Sequence, residues 1–210
     1  YPSKVTTSFR SYPEAYKFWY IFSNSLEVIE KTAFEVSDKS VVRLPLKISA
    51  SRVVIKVGSS LLIDEKKNLV NKKVLNNICE DIYFLINQSK EVLVVSSGAF
   101  ALGKKLLKIN NTHLKLSDKQ AIASVGQILM INSWREALSK YSLFCGQVLL
   151  THQDAEARRN SINARNTIEA LIKLNSIAII NENDTVATRE LKYGDNDQLA
   201  ARVAQLACAE

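Results

Sequence analysis

The chain has 210 residues and carries 28 lysines and arginines against 21 aspartates and glutamates, giving a formal net charge of +7. That length suits one large domain, or one and a half, with a sizeable core, and the apolar and charged fractions are those of a soluble globular protein. Because no lysine and arginine run exceeds two residues and no apolar run approaches membrane-spanning length, the sequence indicates neither a nucleic-acid partner nor a membrane span.

The cysteines and histidines are scattered and form no pattern typical of a zinc site. Cys79, Cys145 and Cys208 lie far apart among apolar residues, and His113 and His152 are isolated. We therefore predict reduced core thiols in a cytoplasmic protein, with no metal held by these residues.

Residues 1–50 differ in composition from the rest of the chain. The first twenty residues are rich in aromatic side chains and contain two of the three prolines. Residues 14–35 could form a helix, but no motif assigns a function to this region. We expect an N-terminal extension or a packing arm, followed by a domain that spans residues 51–210.

From Arg52 onward, short apolar runs alternate with longer amphipathic segments. The predicted strands are 52–57, 91–95, 143–151 and 176–181. The predicted helices are 69–87, 117–141 with Ser117 as N-cap, 159–174 and 198–208. Strands that are apolar throughout and alternate with helices predict a mainly parallel sheet covered on both faces, a three-layer α/β/α sandwich.

Small and polar residues follow three of these strands, as G-S-S at 58–60, S-S-G at 96–98 and N-E-N-D at 181–184. Ligands of parallel sheets bind beyond the carboxyl ends of the strands, so we expect a site there. Residues 181–197 are the densest part, with seven short polar or charged side chains: Asn181, Asn183, Asp184, Lys192, Asp195, Asn196 and Asp197. Such a loop can clamp a ligand with an ammonium and a carboxylate, hold a metal, or simply be solvated.

A lysine interrupts the first apolar strand. Lys56 is followed by Gly58 and Ser59, so its ammonium and nearby backbone N–H groups could contact phosphate oxygens. Alternatively, Lys56 could reach the surface of an edge strand.

Residues 98–105, G-A-F-A-L-G-K-K, are similar to a P-loop but lack its last feature. Lys105 stands where that motif needs a serine or threonine hydroxyl to hold Mg²⁺, and the inner A-F-A-L is apolar and favours a helix. We therefore predict a helix that starts at Gly98 and directs its dipole at an anion.

Five short motifs occur in a family-specific order: K-V-G-S-S-L, V-V-S-S-G-A-F-A-L-G, A-S-V-G-Q, N-A-R-N-T and I-N-E-N-D-T-V-A-T with Y-G-D-N-D-Q-L. From residue 52 to 210 the chain resembles the amino acid kinase family and, within it, the glutamate 5-kinases. The resemblance implies the amino-acid kinase fold and ATP-dependent phosphorylation of the γ-carboxylate of L-glutamate, the first step of proline biosynthesis, with Mg²⁺ carried by the nucleotide. The kinase half of a fused pyrroline-5-carboxylate synthase is an alternative.

The same resemblance implies roles for individual residues. Lys56 would contact the transferred phosphoryl group, and Asp197 would orient Lys56 through a charge-assisted hydrogen bond. The residues that would bind phosphate are Lys56, Gly58 and Ser59. Those that would bind or support L-glutamate are Ser97, Asp184, Asn196, Asn181 and Asp195. Proline as a feedback inhibitor and assembly into a homo-oligomer are implied as well.

Family members continue with a T-D-x-x-G-L-Y-like segment and a glycine-rich stretch with a second lysine, which bind the nucleotide. This sequence ends at Glu210 within a predicted helix. We therefore expect a fold that is incomplete on its C-terminal, nucleotide-binding side, and no measurable ATP-dependent turnover from the 210 residues alone. An inactive remnant or fragment that at most binds glutamate is the alternative to a working kinase.

Overall fold

A computed structural model describes residues 16–22, 28–33, 50–64, 69–111, 113–187 and 195–208. The strands are β1 (Tyr16–Phe22), β2 (Val28–Ala33), β3 (Arg52–Val57), β4 (Ile63–Asp64), β5 (Leu69–Val70), β6 (Glu91–Ser96), β7 (Phe144–Leu150) and β8 (Ser176–Glu182). The helices are α1 (Ser59–Leu62), α2 (Lys72–Asn87), α3 (Ala99–Leu106), α4 (Leu116–Ser139), α5 (His152–Glu156), α6 (Arg158–Lys173) and α7 (Asp195–Cys208).

The main sheet has the strand order β2-β1-β3-β6-β8-β7. Its β3-β6-β8-β7 part is parallel throughout, whereas β1 pairs antiparallel with both β3 and β2. β4 and β5 form a separate two-stranded sheet. The predicted mainly parallel sheet is confirmed. Within the described ranges, no helix is long and apolar enough to span a membrane.

Two apolar clusters cover the two faces of this sheet. Val53 and Ile55 of β3 belong to a cluster with α2 and α4, in which Trp134 is fully buried, whereas Val54 belongs to a cluster with α6 and α7. Successive side chains of a strand point to opposite faces, so an all-apolar strand needs cover on both. The α/β/α layering predicted from the apolar runs is therefore confirmed.

The region preceding the sheet differs from its prediction. The sequence allows a helix over residues 14–35, but β1 and β2 form an antiparallel pair there, and β1 aligns Trp19 with Lys56 and Phe22 with Val53. The helix prediction is wrong. The aromatic run Y-K-F-W-Y-I-F favours strands, and β3 offers unpaired backbone groups on that side, so a distant pairing decides the local structure.

The start of α4 also corrects a prediction. The helix begins at Leu116 after Lys115, so Ser117 lies inside the first turn instead of at the N-cap. The carboxylate of Asp118 accepts a hydrogen bond of 3.1 Å from the backbone N–H of Lys115. A carboxylate in the first turn also interacts favourably with the helix dipole, so Asp118 performs the role predicted for Ser117.

Arg52 ties β3 to three other elements. Its Nε donates to Oε2 of Glu91 at 2.7 Å, and its two terminal nitrogens donate to the carboxylate of Glu169 at 2.6 and 3.2 Å. It also donates to the carbonyl of Ala207 near the end of α7. Burial opposes the charged form, yet the hydrogen bonds with Glu169 and Glu91 leave the pKa of Arg52 above its ordinary value.

We expect Arg52→Met to lower the free energy of unfolding by about 3 kcal/mol, because it leaves two carboxylates and a carbonyl without their donor. Urea denaturation measures this change. The hydrogen bond from Arg52 lowers the pKa of Glu169, so the contribution of this carboxylate is present above pH ~4.5 and is lost as pH falls through its lowered pKa. An unchanged denaturation midpoint at pH 7 would contradict the role assigned to Arg52.

Candidate active site

The turns that follow β3 and β6 touch one another. The Oγ of Ser97 donates a hydrogen bond of 2.9 Å to the carbonyl of Val57, and the backbone N–H of Ser97 donates to the same carbonyl at 3.1 Å. Gly98 has φ of +109°, and a side chain there would lie 3.3 Å from Cβ of Ser59. The left-handed backbone and the close approach both require glycine, so the two predicted strand ends meet.

Lys56 places its ammonium over this turn. A Cβ added to Gly58 would lie 3.6 Å from Nζ of Lys56, so the ammonium lies close to the backbone of Gly58. β3 runs between β1 and β6, which excludes the edge-strand alternative for Lys56. An ammonium beside an open glycine backbone fits a phosphate oxygen.

The segment after β6 differs from a P-loop, as predicted. Gly98 is the N-cap of α3, which begins at Ala99 and continues to Leu106 as a regular helix. Leu102 and Gly103 are buried against α4. The predicted helix is confirmed. Its backbone cannot wrap around phosphates as the loop of a P-loop does.

Helix α4 holds the segment that follows β8. Asn181 is only 2% exposed, and its Nδ2 donates a hydrogen bond of 2.7 Å to Oε1 of Gln127. Two turns earlier on the same helix face, Nε2 of Gln120 donates to the carbonyl of Ala187 at 3.0 Å. The backbone N–H of Asn183 donates to the carbonyl of Leu150, at the end of β7. These contacts fix residues 181–187 from two sides.

Asp184 has an unusual electrostatic environment. Burial, and secondly the nearby carboxylate of Glu182, raise the pKa of Asp184 to about 7 from an ordinary value of 3.8. Glu182 itself is only 8% exposed. Burial disfavours the charged form of a carboxyl group, and a second negative charge disfavours it further. A cation placed beside Asp184 would restore its charge, so the position is suited to an ammonium.

Helices α3 and α4 approach through glycines at their crossing. A Cβ on Gly126 would lie 1.9 Å from the carbonyl oxygen of Ala99, and one on Gly103 would lie 1.9 Å from that of Ile122. Both obstacles are backbone atoms that cannot rotate away. The crossing sets the position of the first turn of α3 relative to α4, and therefore of Gln127 relative to the Ser97–Gly98 turn.

We expect Gly126→Ala to lower the free energy of unfolding by about 3 kcal/mol or more, because the new methyl group overlaps a carbonyl oxygen. Gly58→Ala is the matched control: its new methyl meets Lys56 Nζ at ordinary contact distance. Thermal unfolding of both variants measures the difference. Equal midpoints for Gly126→Ala and the unmodified chain would show that the helices separate at little cost.

The chain is similar in sequence to known proteins. A sequence model of the Amino acid kinase family matches residues 51–210. The chain belongs to the amino acid kinase family. It is 52% identical over 171 residues to the glutamate 5-kinase of Agrobacterium fabrum, a match that covers 81% of this chain and 43% of that protein.

Two further relatives agree. The chain is 51% identical over 158 residues to the glutamate 5-kinase of Pelagibacter ubique, covering 75% of this chain and 43% of that protein. It is 54% identical over 159 residues to glutamate 5-kinase 1 of Rhizobium meliloti, covering 76% and 40%. The chain thus spans about two fifths of the length of these curated relatives.

This member of the amino acid kinase family brings six of the nine predicted site residues to one edge of its sheet. They lie at the carboxyl ends of β3, β6 and β8, which are adjacent strands: Lys56, Gly58, Ser59, Ser97, Asn181 and Asp184. The other three begin α7, but their side chains lie outside the described part: Asp195, Asn196 and Asp197. Residues 188–194 lie outside it as well.

Three residues of this edge were not predicted. Gln120 and Gln127 hold residues 181–187, and Glu182 sets the charge around Asp184. Gln127 ends the A-S-V-G-Q motif, and the seven-residue spacing of the two glutamines on one helix face was a signal that could have been used. Within the described residues, no group of three or more His, Cys, Asp or Glu side chains is placed to hold a metal.

Proposed function

We propose that this chain forms the amino-acid-binding part of a glutamate 5-kinase, which transfers a phosphoryl group from ATP to the γ-carboxylate of L-glutamate. The observation that carries the proposal is the meeting of a lysine–glycine turn, a serine–glycine turn and an acidic segment at the ends of three adjacent strands. The similarity to three glutamate 5-kinases supports the same reaction.

The reaction requires alignment and charge neutralisation more than proton transfer. A γ-carboxylate is ionised at neutral pH and needs no base to attack phosphorus. ATP, bound with Mg²⁺, would supply the phosphoryl group. The main obstacle is the approach of two anions, and in the proposed site the Lys56 ammonium lowers that barrier. Gly58 and Ser59 would add backbone N–H donors, and Asp197 would orient Lys56.

The other end of L-glutamate requires opposite charges. We assign the α-ammonium to Asp184. Burial and the carboxylate of Glu182 disfavour the charged form of this carboxyl group, and a bound cation would stabilise that form. Ser97 can accept a hydrogen bond from the ligand, since its own hydroxyl proton is directed at the carbonyl of Val57. Asn181 supports residues 181–187 through its hydrogen bond to Gln127, and Asn196 and Asp195 would complete the binding site for L-glutamate.

The scattered cysteines favour a cytoplasmic location, and the resemblance implies assembly into a homo-oligomer and inhibition by proline. The resemblance also implies that Mg²⁺ is carried by the nucleotide and not held in the 181–197 loop.

A chimera tests the proposal. Residues 51–210 would replace the corresponding segment of the Agrobacterium fabrum glutamate 5-kinase, and γ-glutamyl hydroxamate would be measured with ATP, hydroxylamine and L-glutamate. We expect product that depends on both ATP and the L-enantiomer, with D-glutamate as the control substrate. A folded chimera that forms no product from L-glutamate would contradict the proposed function.

A further inference from the structure

Gln127 is held between the two sides of the candidate site. Its neighbour Gly126 contacts the backbone of Ala99 and Gly103 in α3, and its own Oε1 accepts a hydrogen bond of 2.7 Å from Nδ2 of Asn181 at the end of β8. The side chain therefore lies on the turn of α4 that packs against α3, with its amide at the end of β8. Its orientation is fixed, since the carbonyl oxygen of the amide faces Asn181.

The other end of the Gln127 amide has no hydrogen-bond acceptor. Its Nε2 is buried and unpartnered, one of two such side-chain atoms in the part of the chain that the structure describes; the other is Nε2 of His152, at the start of α5. A buried amide N–H₂ without an acceptor is unfavourable, so such a group calls for an explanation. A ligand that brings an acceptor would relieve the cost.

The neighbouring groups indicate which acceptor fits. Glu182 and Asp184 favour a cation, and the hydroxyl proton of Ser97 is directed at the carbonyl of Val57, so it does not serve a carboxylate. An α-amino acid whose ammonium contacts Asp184 carries its α-carboxylate on the same carbon. That carboxylate needs a donor on the α4 side of the segment, where Gln127 lies.

We propose that Gln127 is a substrate-binding residue whose Nε2 donates a hydrogen bond to the α-carboxylate of the amino-acid substrate. This inference rests on the proposed function and adds a named contact to it. The Oε1 of the same amide holds Asn181, so one side chain both shapes the segment and recognises the ligand. A purely structural role would use only the Oε1 end.

The substitution Gln127→Glu separates these two roles. A carboxylate oxygen still accepts the hydrogen bond from Asn181, but the donor at Nε2 becomes a negatively charged acceptor. A structural role would therefore survive the change, whereas a carboxylate ligand would be repelled. Gln88→Glu is the matched control, because Gln88 is exposed and lies at the end of α2, ahead of β6, at the opposite edge of the sheet.

The experiment is calorimetric titration of the 210-residue chain and both variants with L-glutamate and with its α-amide, isoglutamine. We expect Gln127→Glu to weaken L-glutamate binding about tenfold or more, and to weaken isoglutamine less, because its amide can donate to the new carboxylate. Gln88→Glu should bind as the unmodified chain does. Unchanged L-glutamate affinity in Gln127→Glu overturns this inference alone, whereas a folded unmodified chain that binds no L-glutamate overturns the proposed function with it.

Discussion

Replacing Asp184 with asparagine should weaken L-glutamate binding by about 100-fold while making the unliganded chain more stable at pH 8. The first effect follows from the loss of the negative charge that would face the α-ammonium. The second follows from the environment of Asp184, since burial and Glu182 raise its pKa to about 7. The two effects have opposite signs and the same cause.

The pH dependence of stability has a definite direction. A carboxyl group with a raised pKa in the folded protein contributes fully below its ordinary pKa, and that contribution is lost as pH rises through its folded pKa. Between pH 4 and pH 8 the unmodified chain should therefore lose about 2–4 kcal/mol that Asp184→Asn retains. Urea denaturation across this range measures the difference, and parallel curves for the two proteins would contradict the raised pKa of Asp184.

Binding should show the complementary pH dependence. A substrate ammonium favours the charged form of Asp184, so L-glutamate affinity should rise with pH up to about 7 and then level off. Below pH 7, binding should release a proton. Asp184→Asn should bind weakly at every pH and release none, which distinguishes this residue from other carboxyl groups nearby.

Lys56→Met should lower turnover of the chimera by about a thousandfold with little change in KM for L-glutamate. The ammonium of Lys56 lies over the turn at Gly58, where we place the transferred phosphoryl group. An interaction made mainly in the transition state affects kcat and leaves substrate binding nearly unchanged. Steady-state hydroxamate formation measures both constants.

The control for this prediction is Lys90→Met. Lys90 precedes β6 and therefore lies at the opposite edge of the sheet from the candidate site. The Lys90→Met substitution removes one positive charge, as Lys56→Met does, without altering the turn after β3. Equal turnover of Lys56→Met and Lys90→Met would remove the assigned role of Lys56.

The sequence predicts some elements well because their signal is local. β3, β6 and β8 are continuous apolar runs, and a strand buried on both faces has no other composition, so the parallel sheet and its layers could be predicted. β1 could not, because its conformation depends on pairing with β3, more than thirty residues away in sequence, and β2 in turn pairs with β1. Pairing with the distant strand β3 therefore outweighs a local pattern that suits a helix.

The candidate site shows the same division. Lys56, Ser97 and Asp184 stand at strand ends, so topology alone brings them together. The link between Gln127 and Asn181 depends on the rotation of α4 about its axis and on the glycine crossing with α3, which no short motif specifies. The raised pKa of Asp184 depends on the burial of the segment, which is likewise a property of the packed structure.

Titration of L-glutamate into the folded 210-residue chain, in two buffers that differ in ionisation enthalpy, tests the central claim most directly. The arrangement of Asp184, Gln127 and the neighbouring strand ends predicts one saturable site that prefers the L-enantiomer and releases a proton on binding below pH 7. A chain with native circular dichroism that binds no L-glutamate, or binds both enantiomers equally, would contradict it.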